Sequence, residues 1–216
     1  MEQVKTTQDF ERRSVVVKEL RVIDESEVPG TTDPAIEGYA SVFDTWSQEL
    51  GGDYPFMEKV VKGAFEQTIR EDDIRALFNH DPNYVLGRNK SGTLTLQEDE
   101  KGLFVRITPP DTQWARDLLV SIKRGDINQM SFGFNVVLDN WTYSDGKDIR
   151  ELLKVKLFDV SPVTFPAYTQ TECGVRSMDD VYKTHMADKE KRESADRQKN
   201  AQKIKQLKQK FNLLKE

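Results

Sequence analysis

The stretch TLTLQEDEKGLFVRIT, residues 93–108, sets the fold class. Thr93–Gln97 and Leu103–Thr108 each alternate apolar and polar side chains, the period of a half-buried strand. The short polar run EDEKG between them, closed by a glycine, makes the pair an antiparallel hairpin. Beyond it, Asp111 stands where a helix cap belongs. Trp114, Ala115, Leu118, Leu119 and Ile122 then fall on one helical face, and Gly125 ends that helix. Met130–Leu138 and Arg150–Val160 read as strands around the turn YSDGKD, and the prolyl stretch SPVTFPAY (161–168) closes the body. Ahead of the hairpin, Ser14–Ile23 and Ala35–Phe43 read as strands separated by the turn-rich DESEVPGTTDPA. Residues 58–70, EKVVKGAFEQTIR, read as a helix with Gly63 as its weak point. Ile74–Phe78 is a short apolar strand that Pro82 should stop. At least six strands and two helices, without regular alternation, predict an antiparallel-rich or barrel-like α+β domain, not a βαβ array.

Charge divides the chain. Residues 183–216 hold eleven Lys or Arg against five Asp or Glu, a net of +6, which leaves the preceding 182 residues at −11. The 216 residues and a 37% hydrophobic fraction suffice for one ordinary core plus an appendage. The expected organisation is a flexible segment 1–13, a folded body 14–176 and a charged helical tail 177–216. The tail lacks proline and glycine and carries a narrow stripe of Ile204, Leu207, Phe211 and Leu214, too brief to establish a coiled coil. It reads as a solvated extension or as a helix that docks on an acidic or coiled partner. Interleaved aromatics are missing and acids dilute the charge, so nucleic-acid binding is not expected.

Composition removes several chemistries. A single cysteine, Cys173, excludes an intramolecular disulfide and a thiolate zinc cluster. The first twenty residues lack a signal-peptide apolar run, and no later stretch suits a bilayer crossing. Gly87-Arg88-Asn89-Lys90-Ser91 lacks the glycines of a phosphate loop, and neither a dinucleotide fingerprint nor His-Glu-x-x-His occurs. The expected protein is soluble, with no metal or cofactor.

The chain has two histidines, His80 and His185, and His185 lies in the polar tail. An imidazole base would therefore be His80, at the end of a strand, although a lone histidine there also suits a surface role. Ser131, in Gln129-Met130-Ser131-Phe132-Gly133-Phe134, is the best-placed nucleophile. It could equally be a small outward residue of a strand whose Met130, Phe132 and Phe134 face inward. It is not in a Gly-x-Ser-x-Gly elbow. Asp159 is an acid inside the apolar strand Leu157-Phe158-Asp159-Val160, where a buried carboxylate needs a partner: an imidazole or a structural cation. Asp148 and Glu151 are fallback acids nearer a polar turn.

Taken in chain order, LFNHDPNYVLGR (77–88), INQMSFGF (127–134) and LFDVSPVTFPAY (157–168) resemble the prohead protease family of tailed bacteriophages with HK97-like heads, over roughly residues 14–176. The resemblance implies a serine endopeptidase whose fold is similar to the herpesvirus assembly protease, a strand-rich barrel with surrounding helices. It places the nucleophile on Ser131, the histidine on His80 and the third residue on Asp159, where glutamate is the commoner family form. Oxyanion donors stay unassigned between backbone N–H groups and an arginine such as Arg88. The implied partners are a major capsid protein precursor or a scaffolding protein, with self-association, self-cleavage, and action inside the immature head in the host cytoplasm. A catalytically inert scaffolding or head-assembly protein retaining the fold is the competing expectation.

Overall fold

Two sheets share one apolar core in the computed structural model, which describes residues 10–16, 20–24, 33–50, 55–165 and 178–213. In chain order the elements are β1 (Phe10–Val16), β2 (Arg21–Ile23), β3 (Ala35–Val42), β4 (Phe56–Val60), α1 (Glu66–Glu71), β5 (Arg75–Phe78) and β6 (Asp81–Arg88). There follow β7 (Leu94–Glu98), β8 (Gly102–Ile107), α2 (Gln113–Lys123), β9 (Gln129–Ser144), β10 (Lys147–Val163) and α3 (Met178–Leu213). The fold is strand-rich α+β, built on one six-stranded and one four-stranded sheet.

The smaller sheet runs β2-β3-β8-β7 and contains the hairpin of residues 93–108. The larger runs β1-β9-β10-β5-β6, with β4 also paired to β10. Its spine is the long β9–β10 hairpin, turned at Asp145 and Gly146, both at positive φ as a two-residue primed turn requires. Register shifts along β10 let one strand serve two parallel neighbours: β4 joins it at Asp148–Leu152 and β5 at Asp159–Val160. Phe132 and Phe134 on β9 stack at 4.9 Å, and Phe65 meets Phe132 edge-on at 5.5 Å. The buried face of α2, Ala115, Leu118, Leu119 and Ile122, is the one its spacing predicted.

Several expectations are corrected. Thr112, not Asp111, precedes the first turn of α2, and it makes no side-chain capping bond; Asp111 pairs with Arg116 instead. The segment Ser14–Ile23 is two strands in different sheets, and the first begins at Phe10, inside the segment 1–13 expected to be flexible. Residues 56–60 form strand β4, and only Glu66–Glu71 is helical, because Gly63 at φ +94° breaks the path between them. Pro82 does not end the sheet. The chain turns at Asn79-His80 and returns as β6, an edge strand where proline is tolerated. The tail is not wholly a solvated extension: on α3, Val181 is buried and Tyr182 stacks on Phe56 at a 6.4 Å centroid distance. His185 lies flat on Trp141 at 4.2 Å. The prolyl close after Phe165, Cys173 and the side chains of Leu207, Phe211 and Leu214 fall outside the described residues.

A buried ion cluster ties β1 into the larger sheet. Arg13 donates to both Glu58 oxygens at 2.5 and 2.9 Å and to Glu11 at 2.6 Å. Arg150 donates to Glu11 at 2.9 and 3.1 Å, to Glu58 at 2.9 Å and to Asp139 at 2.8 Å. Burial works against the Glu11 carboxylate, but Arg150 and Arg13 outweigh it and hold its pKa at about 2. The same carboxylates raise both guanidinium pKa values against the pull of burial.

Candidate active site

Three segments remote in sequence converge where β5, β9 and β10 lie side by side. Ser131 sits near the start of β9, opposite Ser161 of β10. Asp159 follows a register shift in β10 that aims its side chain at the same face. His80 occupies the two-residue turn between β5 and β6, where both Asn79 (φ +53°) and His80 (φ +57°) adopt left-handed backbone. That conformation is unfavourable for both residues, more so for the histidine. Asn79 holds the turn by accepting from the Thr164 amide at 2.8 Å, while its own amide donates to the Pro162 carbonyl at 3.1 Å.

The turn delivers the imidazole between the other two side chains. His80 Nδ1 is 2.6 Å from Asp159 Oδ1, and Nε2 is 2.7 Å from Ser131 Oγ. With the Nδ1 proton donated to the carboxylate, Nε2 presents a lone pair to the hydroxyl. All three groups are buried, Ser131 completely. The Ser161 hydroxyl donates to Asp159 Oδ1 at 2.8 Å, so that oxygen receives two bonds and the carboxylate is fixed in rotation. Ser131 Oγ also donates to the Arg13 carbonyl oxygen at 2.9 Å.

Gly133 is required by space. A Cβ at this position would stand 2.3 Å from Asp159 Oδ2 and 2.5 Å from Phe10 Cζ. Arg12 lies opposite Gly133 in the β1–β9 register. Burial lowers its guanidinium pKa, and the charge of Asp159 opposes that shift.

The three residues singled out in the sequence are therefore brought together. The fallback acids are elsewhere: Asp148 accepts from the Tyr182 hydroxyl at 2.6 Å, and Glu151 pairs with Lys59 at 3.1 Å. Arg88, offered for the oxyanion, is forked onto Asp73 through two 2.7 Å bonds on the surface. Sequence reasoning missed Ser161, Arg12 and Arg13. Ser161 was detectable, since two positions after Asp159 on a strand is the same face; nothing local marked the β1 residues. Among the described residues no group of three or more His, Cys, Asp or Glu is arranged to hold a metal ion. None of the described helices is long and apolar enough to cross a membrane.

A serine, a histidine and an aspartate in a hydrogen-bonded line on a strand-rich scaffold define a serine hydrolase arrangement. The comparisons specify the class further. The sequence profile of the caudovirus prohead serine protease family matches residues 20–184, and the chain belongs to that family. The prohead protease of Enterobacteria phage HK97 is 33% identical over 174 residues, covering 77% of this chain and 70% of the relative. The solved bacteriophage T4 capsid assembly protease, gp21, superposes with a TM-score of 0.48 at 14% identity, over 73% of this chain and 98% of that one. The protein is thus a prohead serine protease acting in phage capsid maturation.

Proposed function

We propose that Ser131 is the nucleophile, His80 the general base and then acid, and Asp159 the group that orients the imidazole. The observation that carries this reading is the pair of short bonds from one buried imidazole, 2.7 Å to Ser131 Oγ and 2.6 Å to Asp159 Oδ1. Ser131 Oγ attacks a scissile carbonyl carbon as its proton passes to Nε2. His80 then protonates the leaving amine, and water releases the acyl group by the reverse proton path. Aspartate is a methylene shorter than glutamate, and the β10 register shift beside it supports its reach to His80.

The substrates on this reading are scaffold or capsid-protein extensions within the immature head, and the domain is of the herpesvirus assembly-protease kind. The test is Ser131→Ala and His80→Ala, each assayed for cleavage of the co-expressed capsid precursor and for labelling by a fluorophosphonate. Both variants should keep the native circular dichroism spectrum, lose precursor cleavage by at least about 10³-fold, and lose labelling at residue 131. Precursor cleavage by folded Ser131→Ala protein would remove Ser131 from the role.

A further inference from the structure

Ser131 is completely buried, and the strand that covers it belongs to the same chain. β1 lies antiparallel on β9, with Ser14 opposite Ser131, Arg12 opposite Gly133 and Phe10 opposite Asn135. An extended peptide paired beside a nucleophile strand is the way β-augmentation presents a backbone for recognition. The Arg13 carbonyl oxygen accepts from Ser131 Oγ at 2.9 Å. A C=O bond is about 1.2 Å long, so the Arg13 carbonyl carbon is no farther than about 4.1 Å from Oγ. Reacting atoms in a near-attack arrangement stand about 3–3.5 Å apart, so for attack the peptide must turn its carbonyl carbon toward Oγ and close by at most about 1 Å.

We propose that β1 occupies the substrate position and that the Arg13–Ser14 peptide bond is a self-cleavage site, with the Arg13 side chain selected by Glu58. This rests on the serine-protease reading of Ser131. The Arg13 guanidinium is held in a fork by Glu58 at 2.5 and 2.9 Å, and Glu11, two residues earlier, is held by Arg150 at 2.9 and 3.1 Å. Glu58 and Arg150 belong to β4 and β10, so the body of the protein recognises an acid-x-base pattern ending at the bond beside Ser131. Bidentate pairing of this kind favours arginine over a neutral side chain and over lysine.

The step balances without a further reactant except water. Ser131 Oγ bonds to the Arg13 carbonyl carbon while its proton moves to His80 Nε2. The C–N bond to Ser14 breaks as Nε2 returns that proton to the Ser14 nitrogen. Water then attacks the ester carbon, gives a proton to Nε2, and the C–Oγ bond breaks as Ser131 recovers its proton. The products are a segment ending in the Arg13 carboxylate and a chain beginning at Ser14. Release of that segment uncovers the β9 edge, the place another extended substrate would need.

The experiment follows the N-terminus of the full chain by intact mass and N-terminal sequencing, in wild type, Ser131→Ala, Arg13→Gln and Glu58→Gln proteins. Wild type should acquire a new N-terminus at Ser14 at a rate independent of protein concentration, and Ser131→Ala should retain residues 1–13. Arg13→Gln and Glu58→Gln should slow the cut at least ten-fold. To separate selection from misfolding, the synthetic peptide FERRSVVV is offered to the wild-type enzyme after the segment ahead of Ser14 has been released. It should be cut between its two central residues, Arg and Ser, at least ten-fold faster than the same peptide with Gln at the Arg13 position. A wild-type protein that is labelled at Ser131 by fluorophosphonate and cuts capsid precursor, yet keeps the Arg13–Ser14 bond, overturns this proposal and leaves the protease reading standing. Absence of both labelling and precursor cleavage overturns the protease reading itself.

Discussion

A hydroxyl carries one proton, and at Ser131 two acceptors compete for it: His80 Nε2 at 2.7 Å and the Arg13 carbonyl at 2.9 Å. On the proposed mechanism only the first orientation starts a reaction, so whatever fixes the imidazole governs the outcome. Asp159 does this through Nδ1, and Ser161 fixes Asp159 in turn. Asp159→Asn removes the charge and favours the wrong tautomer; kcat should fall by roughly 10³–10⁴-fold with little change in KM. Ser161→Ala removes a single bond to a charged group, worth about 1.5–3 kcal/mol, and should lower kcat by roughly ten- to a hundred-fold. Equal kcat in Ser161→Ala and wild type would show that Asp159 needs no such support. Gly133→Ala tests the space. Its methyl group would collide with the Asp159 carboxylate and the Phe10 ring, and the expected cost is about 1–3 kcal/mol of stability together with most of the activity.

Among the elements, β1 shows why a charged strand can be structural and hard to read. Phe10-Glu11-Arg12-Arg13 looks solvent-exposed by composition, yet Glu11 and Arg13 are covered because each finds its counter-charge on β4 or β10. Such compensation is long-range and leaves no local trace, and the same holds for Glu58, whose charge hid the alternation of β4. By contrast the hairpin of β7 and β8, the buried face of α2 and the two long strands were legible, since each depends on its own side-chain period. The candidate site residues were visible through chemical type and order. Their geometry was not, because it depends on the β10 register shift and the left-handed Asn79-His80 turn. Glu11 makes the cluster testable by pH. Its folded pKa of about 2 lies below the ordinary 4.5, so the charged form stabilises the fold. That contribution, on the order of 3 kcal/mol, is fully present above pH ~4.5 and disappears as pH falls toward 2. In a Ser131→Ala background, which keeps β1 attached, urea titrations between pH 6 and 2.5 should show this loss. An additional Glu11→Gln change should make the protein less stable at pH 6 and flatten its acid dependence. Unchanged acid dependence in the double variant would place the titrating group elsewhere.

At the scale of the whole molecule, α3 divides into a docked turn and a projecting remainder. Val181, Tyr182 and His185 close over Phe56 and Trp141, and Tyr182 also donates to Asp148 at 2.6 Å. This contact sits at the far end of the β9–β10 hairpin. Trp141 and Ser131 are ten positions apart on one strand, roughly 30 Å. Beyond Ala187 the described side chains, which lie between Glu190 and Ile204, are exposed, and residues 188–216 hold ten Lys or Arg against five Asp or Glu. Two truncations therefore give different results. Ending the chain after Arg176 uncovers Phe56 and removes Tyr182, one of its two aromatic partners, which should cost on the order of 3 kcal/mol and lower Tm by roughly 6–12 °C. Ending it after Ala187 keeps the docked turn and should leave Tm within about 2 °C. Where folded, both should cut a soluble peptide at the full-length rate, because neither reaches the site. Where its side chains are described the projecting part faces solvent, and its positive charge suits attraction to an acidic scaffold or capsid extension before the head closes. Truncation after Ala187 should then reduce the number of protease copies per purified immature head, as should charge reversal at Lys203, Lys205, Lys208 and Lys210. Equal copy numbers would reject recruitment by the tail. An unchanged Tm after truncation at Arg176 would show that the docked turn contributes nothing to the fold.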